Sequence, residues 1–248
     1  SRRRHTRLQG DWSSDVCSSD LRYSQNEDKK SAILLNSFIT NSSTVEKISE
    51  IIRDKDIFVI GSGPSLPKCI PILKKFKKPI KIVADSALSF ILENRIIPDI
   101  VITDLDGDLD SLKKISKKSM IVVHAHADNY EKLEFVKNFK NFIGTTQTKS
   151  FGKLSNFGGF TDGDRGVFLA SNFHAKKIIL FGMDLENKIG KYSNTKRTQR
   201  KIKLKKLKEA KTLLQWLSTF SKSQLFTTSN SIKGFTKVRY SDLDYIIT

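Results

Sequence analysis

The sequence predicts an α/β fold: a three-layer sandwich with a mostly parallel sheet, preceded by N-terminal helices. Three observations predict it. Short, β-branched apolar runs recur at residues 57–60, 80–84, 100–103, 120–124 and 177–182. Segments with helical spacing separate them, and strands alternating with helices of that length imply parallel pairing through right-handed crossovers. Polar and ionisable residues cluster just after several of these strands, at the edge where open α/β sheets bind ligands.

Length and charge bound the rest. A chain of 248 residues holds one full α/β domain or two small ones. Its 44 Lys+Arg against 26 Asp+Glu leave a net charge of +18. That excess suits an anionic partner, whether nucleic acid, an acidic membrane surface or a phosphorylated small substrate. The two cysteines, Cys17 and Cys69, make no metal or disulfide framework. No apolar run approaches the roughly 20 residues that span a bilayer. A cytoplasmic protein with no membrane association is expected.

In chain order, residues 1–21 come first, with Arg2-Arg3-Arg4 and a Ser/Asp-rich stretch lacking helical or strand periodicity. This leader differs in composition from all that follows, and it is expected to be disordered and not native to the fold. Residues 22–55 carry two helical patterns, Ile33, Leu34 and Phe38, then Val45, Ile48, Ile51 and Ile52, with Ser43 or Thr44 placed to cap the second. They are expected to pack on the sheet or on a second copy in a homo-oligomer. Residues 56–248 form the α/β domain.

Strand 57–60 runs into Gly61-Ser62-Gly63-Pro64-Ser65, where backbone N–H groups can gather around an anion and Pro64 suits the first turn of the next helix. The third glycine of a dinucleotide fingerprint and the Lys and Ser/Thr of a Walker loop are missing. A phosphate cradle and a tight packing turn therefore stand as equal readings.

Strand 80–84 ends in Asp85 before a helix at 87–94. Strand 100–103 ends in Asp104-Leu105-Asp106-Gly107-Asp108 before a helix at 109–117, and strand 120–124 ends in His124-Ala125-His126-Ala127-Asp128-Asn129. One such residue is ordinarily a helix cap. Repetition at three successive strands exceeds what capping requires. Asp104 and Asp106 are hard oxygen ligands suited to Mg²⁺, while Asp108 is placed to cap the next helix. His124 and His126 share one face of an extended backbone. With no cysteine or third histidine beside them, they suit phosphate or base contacts better than zinc.

A strand at 141–145 precedes a second polar cluster at 156–166. There Gly158, Gly159 and Gly163 permit close approach or positive φ, Asp162 and Asp164 repeat the spacing of Asp104 and Asp106, and Arg165 offers a donor fork for phosphate. The plainer alternative is Thr161 or Asp162 capping a helix at 167–173. Strand 177–182 ends in Met183-Asp184. Residues 196–211 hold nine basic side chains against Glu209. Ile202, Leu204, Leu207, Leu213, Leu214 and Leu217 give this stretch a helical face, so it is either a solvated basic helix or a lid that brings lysines onto a polyphosphate. A strand at 224–229 and a docking tail at 240–247 close the chain.

Laid side by side, these motifs resemble the archaeal 6-hydroxymethyl-7,8-dihydropterin pyrophosphokinase family. The matching text is Gly61-Ser-Gly-Pro-Ser-Leu, Ala84-Asp, Pro98-Asp-Ile-Val-Ile-Thr-Asp-Leu-Asp-Gly, His124-Ala-His-x-Asp-Asn, Asn156-Phe-Gly-Gly-Phe-Thr-Asp-Gly-Asp-Arg, Gly182-Met-Asp and Lys205-Lys-Leu-Lys. It covers the chain from Asn26 onward. Ser86 and Ala127 stand where the family usually has glycine.

The resemblance implies a Rossmann-like catalytic domain and Mg²⁺-dependent transfer of diphosphate from ATP to the hydroxymethyl group of 6-hydroxymethyl-7,8-dihydropterin. AMP is released, and the product serves synthesis of tetrahydromethanopterin or a folate-type cofactor. It implies Asp104 and Asp106 as principal Mg²⁺ ligands and Asp162 and Asp164 as further ligands or positioning groups. Gly61, Ser62, Gly63, Pro64 and Ser65 would hold the nucleotide, and Arg165, Lys205 and Lys206 would stabilise developing charge. Asp85, His124, His126 and Asn129 would complete the pocket. The three Asp clusters are also similar to those of thiamine pyrophosphokinase, and a metal-dependent sugar transferase is a further enzyme alternative. A nucleic-acid-binding module would account for the charge, but no recognition motif of the usual kinds is present and an Asp-lined pocket repels phosphate unless a metal intervenes.

Overall fold

Runs of Ile, Val and Phe without polar alternation belong to strands covered on both faces. The computed structural model, which describes residues 25–40, 44–186, 188–193 and 195–247, pairs them into one sheet of eight strands. They are β1 (Asp56–Ile60), β2 (Ile80–Ala84), β3 (Ile100–Thr103), β4 (Met120–Ala125), β5 (Phe142–Thr146), β6 (Lys177–Phe181), β7 (Gln224–Thr227) and β8 (Thr236–Lys237). The order is β5-β4-β3-β2-β1-β6-β7-β8, and every pairing is parallel. The chain winds outward from β1 to β5, then returns to the other side of β1 at β6. The β1/β6 boundary is thus the switch point of the sheet.

Helices cover both faces. They are α1 (Gln25–Phe38), α2 (Thr44–Ile52), α3 (Leu66–Lys75), α4 (Asp85–Glu93), α5 (Leu109–Ile115), α6 (Asp162–Asn172), α7 (Arg200–Leu217) and the short α8 (Leu243–Ile246). Strand alternation sends Phe58, Val83 and Val101 to one core with Leu35, Leu66, Leu88 and Leu112 of α1, α3, α4 and α5. Val59, Ile82 and Ile102 meet Ile48, Ile52, Phe168, Leu214 and Leu217 of α2, α6 and α7 on the other face. The two N-terminal helices therefore pack on the sheet, one on each face.

Several boundaries differ from the sequence expectation. Helix α6 starts at Asp162, not 167, because the Asp164 carboxylate accepts the N–H groups of Phe160 and Thr161 and fixes the first turn early. Pro64 lies ahead of α3, whose second residue is Pro67. A 3₁₀ stretch, Ala127–Asn138, joins β4 to β5. The tail at 240–247 is a 3₁₀ turn followed by α8, which buries Leu243, and the two-residue β8 is too short to leave a pattern. The leader at 1–21 and Ser43 lie outside the described residues. Among the described residues, no helix is long and apolar enough to cross a membrane.

Candidate functional site

Parallel register places the strand ends level. Ala84 aligns with Ile102, and Thr103 aligns with Val123, so Asp85, Asp104 and His124 stand side by side at the carboxyl edge. Asp85 does not cap α4. Its Oδ2 accepts from Thr103 Oγ1 at 2.5 Å and from the Gly107 N–H at 3.2 Å. The same Thr103 hydroxyl accepts the Leu105 N–H at 2.8 Å. Leu105 has φ +65°, a left-handed conformation costing on the order of 1–3 kcal/mol for a side chain of its kind. Complete burial of that side chain in the core holds it there. The bent loop brings one oxygen each of Asp85, Asp104 and Asp106 within 4.8 Å of one another.

Two oxygens of this triad, Asp85 Oδ1 and Asp104 Oδ1, are buried without a hydrogen-bond partner among the described residues. An orphaned buried carboxylate oxygen is costly, and a hard divalent cation satisfies several at once. The residues therefore fit such an ion.

Proton affinities tell the same story. Burial pushes the Asp85 carboxyl up to about 7, opposed by the Thr103 hydrogen bond and reinforced by the charges of Asp106 and Asp104. Burial and the adjacent Asp104 charge raise Asp106. Burial works against ionised Asp104 as well, but the hydrogen bonds from His126 and from Asp106 hold it below the carboxylate range. Burial, then the charges of Asp104, Asp106 and Asp85, push Asp162 well up. Four carboxyl groups this close cannot all ionise without a cation.

The two histidines share a face, as their spacing predicts, with ring centroids 5.9 Å apart. His126 Nδ1 accepts the Asp128 N–H at 3.3 Å, so its proton sits on Nε2, 3.3 Å from Asp104 Oδ2. His124 Nδ1 lies 2.9 Å from Arg165 Nη1, a group that only donates, so its proton also sits on Nε2. Burial and the Arg165 charge hold His124 neutral. Asn129 ties the strand ends together: its amide donates to the carbonyls of Asp104 and His124 at 2.8 and 2.7 Å and accepts the His126 N–H at 3.1 Å.

Asp162 and Asp164 part company. Residues two apart share a face on a strand but point to nearly opposite sides of a helix, and both stand in the first turn of α6. Asp162 lines the site cavities, whereas both Asp164 oxygens accept from Phe160 and Thr161 at the helix start. The carboxylate that joins Asp104 and Asp106 is instead Asp85.

The glycine turn at 61–63 packs across the switch point. Gly63 N–H donates to the Gly182 carbonyl at 2.8 Å, while the Ser65 N–H and hydroxyl donate to Asp184 Oδ2 at 2.8 and 2.7 Å. A Cβ on Gly63 would lie 2.3 Å from that oxygen. The amides a phosphate cradle would use at Gly63 and Ser65 are thus engaged within the protein, the geometry of the packing-turn reading. Gly61, Ser62 and Gly63 still line a small cleft, with Ser62 Oγ 2.8 Å from Ser86 Oγ, whereas Pro64 and Ser65 do not line it.

Beside it opens a cavity of about 610 Å³ whose walls include Asp104, Asp106, His124, Arg165, Lys203 and Lys206. Asp162 and Lys203 border both spaces. Lys205 is exposed and does not line either. Sequence reasoning missed Lys203, although its three-residue spacing from Lys206 on a helix was the available signal. It also missed Thr103, which stands inside the matching stretch at 98–107 but was not singled out, and Gln147 and Asp28, which carry no motif.

A parallel sheet with carboxylates and basic side chains gathered over its carboxyl edge defines a class of α/β proteins that hold an anionic ligand at that edge. Residues 31–190 match the family model described as 6-hydroxymethylpterin diphosphokinase MptE-like. Proteins named 6-hydroxymethyl-7,8-dihydropterin pyrophosphokinase from Methanocaldococcus jannaschii and Pyrococcus furiosus are 45% and 41% identical, covering 80% and 83% of this chain and 90% and 91% of theirs. One from Methanothermobacter thermautotrophicus is 34% identical over 80% of this chain and 89% of its own. The chain belongs to the 6-hydroxymethylpterin diphosphokinase MptE-like family. Its fold is similar to that of the MAf glycosyltransferase of Magnetospirillum magneticum, with a TM-score of 0.52 and 15% identity. That match covers 84% of this chain but only 39% of the glycosyltransferase, and it is a likeness of fold alone.

Proposed function

We propose that this enzyme transfers the terminal diphosphate of ATP to the hydroxymethyl oxygen of 6-hydroxymethyl-7,8-dihydropterin and releases AMP, with Mg²⁺ held by Asp85, Asp104 and Asp106. Family membership supplies the reaction. The observation that carries the assignment of the site is the pair of buried oxygens on Asp85 and Asp104 with no partner among the described residues, in a triad that brings one oxygen each of Asp85, Asp104 and Asp106 within 4.8 Å of one another. They stand beside a cavity walled by Lys203, Lys206 and Arg165.

In this transfer the acceptor oxygen bonds to the β-phosphorus as the bond from that phosphorus to the α–β bridging oxygen breaks, and the hydroxyl proton of the acceptor is released to solvent. The bridging oxygen leaves on AMP. Mg²⁺, when bound, supplies neutralisation of the polyphosphate charge. The chain's own part is positioning and electrostatics. Lys203, Lys206 and Arg165 place positive charge around the transferred group, and Lys205 adds to the basic field from outside. His126 donates to Asp104 and keeps it ionised. Asn129 and Asp164 act one step back, fixing the strand ends and the start of α6. The cleft at Gly61, Ser62 and Gly63 takes the nucleotide end, and the cavity wall at His124 and Phe160 takes the acceptor. Asp162, bordering both, stands where the two meet.

A turnover assay with ATP, Mg²⁺ and a panel of acceptors tests this reading. AMP should form with the hydroxymethyl pterin and not with thiamine. Asp104→Asn should reduce turnover by at least about 10³-fold, a loss typical of removing a group that organises transition-state charge, while the circular dichroism spectrum stays unchanged. Retained turnover in that variant overturns the metal assignment.

A further inference from the structure

A carboxylate stands at the switch point of the sheet, where a nucleotide phosphate would be repelled. Asp184 follows β6 and lines the small cleft at Gly61 and Gly63, but not the larger cavity beside it. Its Oδ2 accepts both the N–H and the hydroxyl of Ser65, at 2.8 and 2.7 Å. Its Oδ1 has no hydrogen-bond partner among the described residues, and the side chain is only partly buried.

Two further observations limit what this cleft can take. The Gly63 N–H donates to the Gly182 carbonyl and the Ser65 N–H donates to Asp184, so neither amide is open to an anion. The cleft measures about 60 Å³ against about 610 Å³ for the cavity, well under the roughly 300 Å³ at which ligand pockets begin. It takes part of a nucleotide and not all of it. Lys203 borders both spaces, while Lys206 and Arg165 line only the cavity. Lys188 also lines the cleft but is exposed, where a charge contributes little. A nucleotide spanning the two spaces is therefore driven into one orientation. Its phosphates lie among the cations of the cavity, and the part beside Asp184 is uncharged and donates hydrogen bonds.

We infer that Asp184 binds the ribose of the nucleotide, its Oδ1 accepting a hydrogen bond from a ribose hydroxyl, so that the enzyme selects ribonucleotides over deoxyribonucleotides. The inference rests on ATP as the donor in the proposed reaction and adds a specificity residue to it. The ribose takes this place ahead of the adenine amino group because its hydroxyls are the first donors after the phosphates. A cleft of this size also holds the edge of a sugar but not a purine. By engaging Oδ2, Ser65 leaves Oδ1 as the accepting atom.

The test compares kcat/KM for ATP, 2′-deoxy-ATP, 3′-deoxy-ATP and ITP, which lacks the adenine amino group, with the hydroxymethyl pterin as acceptor. The wild type should use ATP at least about tenfold better than one of the deoxy analogues, the scale of one charge-assisted hydrogen bond. Asp184→Asn keeps an oxygen for the two Ser65 donors and puts an NH₂ in place of Oδ1. There the preference should shrink to about threefold or less, the loss falling on ATP and not on the deoxy analogue. A merely structural Asp184 would weaken all four nucleotides equally, and a changed ratio of ATP to ITP would put the adenine there instead. Either result overturns the inference, as does a wild type that uses both deoxy analogues as well as ATP. Should Asp184→Asn lose its fold, fluorine in place of the same hydroxyl carries the test in wild-type protein. Fluorine donates nothing, so it must cost as much as deletion; a fluoro analogue used as well as ATP overturns the inference. Wild-type protein that forms no AMP with the pterin refutes the reaction instead. Calorimetric affinities for ATP and the same analogues then decide the role of Asp184, with absent binding or absent preference overturning it.

Discussion

Gly107 lacks a side chain because Asp85 fills the space beside it: a Cβ there would lie 2.3 Å from Asp85 Oδ1, one of the two oxygens of the triad with no partner among the described residues. Its φ is unremarkable, so the requirement is room and not backbone freedom. Gly107→Ala should therefore fold, yet displace the Asp85 carboxylate from the other two. Mg²⁺ affinity, read by titration calorimetry, is expected to fall about 10–100-fold, the usual cost of disturbing groups that orient a metal ligand. Unchanged affinity would mean that Asp85 is not a ligand. Thr103 contributes from the other side, since its hydroxyl holds Asp85 Oδ2 and leaves Oδ1 without a partner among the described residues. Neither Thr103 nor Asp28 was legible in the sequence, because a buried threonine and a helical aspartate look like core edge and surface until the packing is known.

At the scale of elements, the strands were legible because a sheet covered on both faces needs uninterrupted apolar runs, and β2 and β3 were predicted to the residue. Which carboxylates converge was less so. Asp104 and Asp106 come together with Asp85, whereas the same spacing at Asp162 and Asp164 sends those two side chains apart, because the second pair falls in the first turn of a helix. The basic segment poses the same problem of phase. Only the C-terminal half of α7 is buried, at Ala210, Leu213, Leu214 and Leu217, so its N-terminal half overhangs the cavity with Lys203 and Lys206 inward and Lys205 outward. Lys203→Ala should raise the ATP KM or lower kcat by about tenfold, consistent with one partly desolvated charge contact to phosphate. Lys205→Ala should stay within about twofold of the parent, since an exposed charge contributes little. Equal effects from the two would show that the basic run acts only as a diffuse field.

The whole molecule carries a conflict that the site resolves. A protein with a net charge of +18 has gathered four carboxyl groups at the carboxyl edge of its sheet, where burial raises three of them. Without a cation, those raised groups bind protons in the folded state that the unfolded chain releases near pH 4. Folded-state proton uptake makes stability greatest below the unfolded value and lost as pH climbs through the folded one. For Asp85 that window runs from about 4 to about 7, at up to about 1.4 kcal/mol per pH unit. In a chain of this size each kcal/mol moves Tm by about 2–4 °C. Other groups titrate over the same range, so the comparison must be between Asp85→Asn and the parent, both stripped of metal. The parent should lose Tm relative to the variant between pH 5 and pH 8, because the amide carries no proton to lose. Saturating Mg²⁺ at pH 8 should then raise the Tm of the parent, since an ion that binds only the folded state stabilises it, and leave that of Asp85→Asn nearly unchanged. A parallel pH dependence in the two proteins would place the repulsion elsewhere. The crossing pattern would mean that the cluster which destabilises the metal-free fold is the one the cation requires.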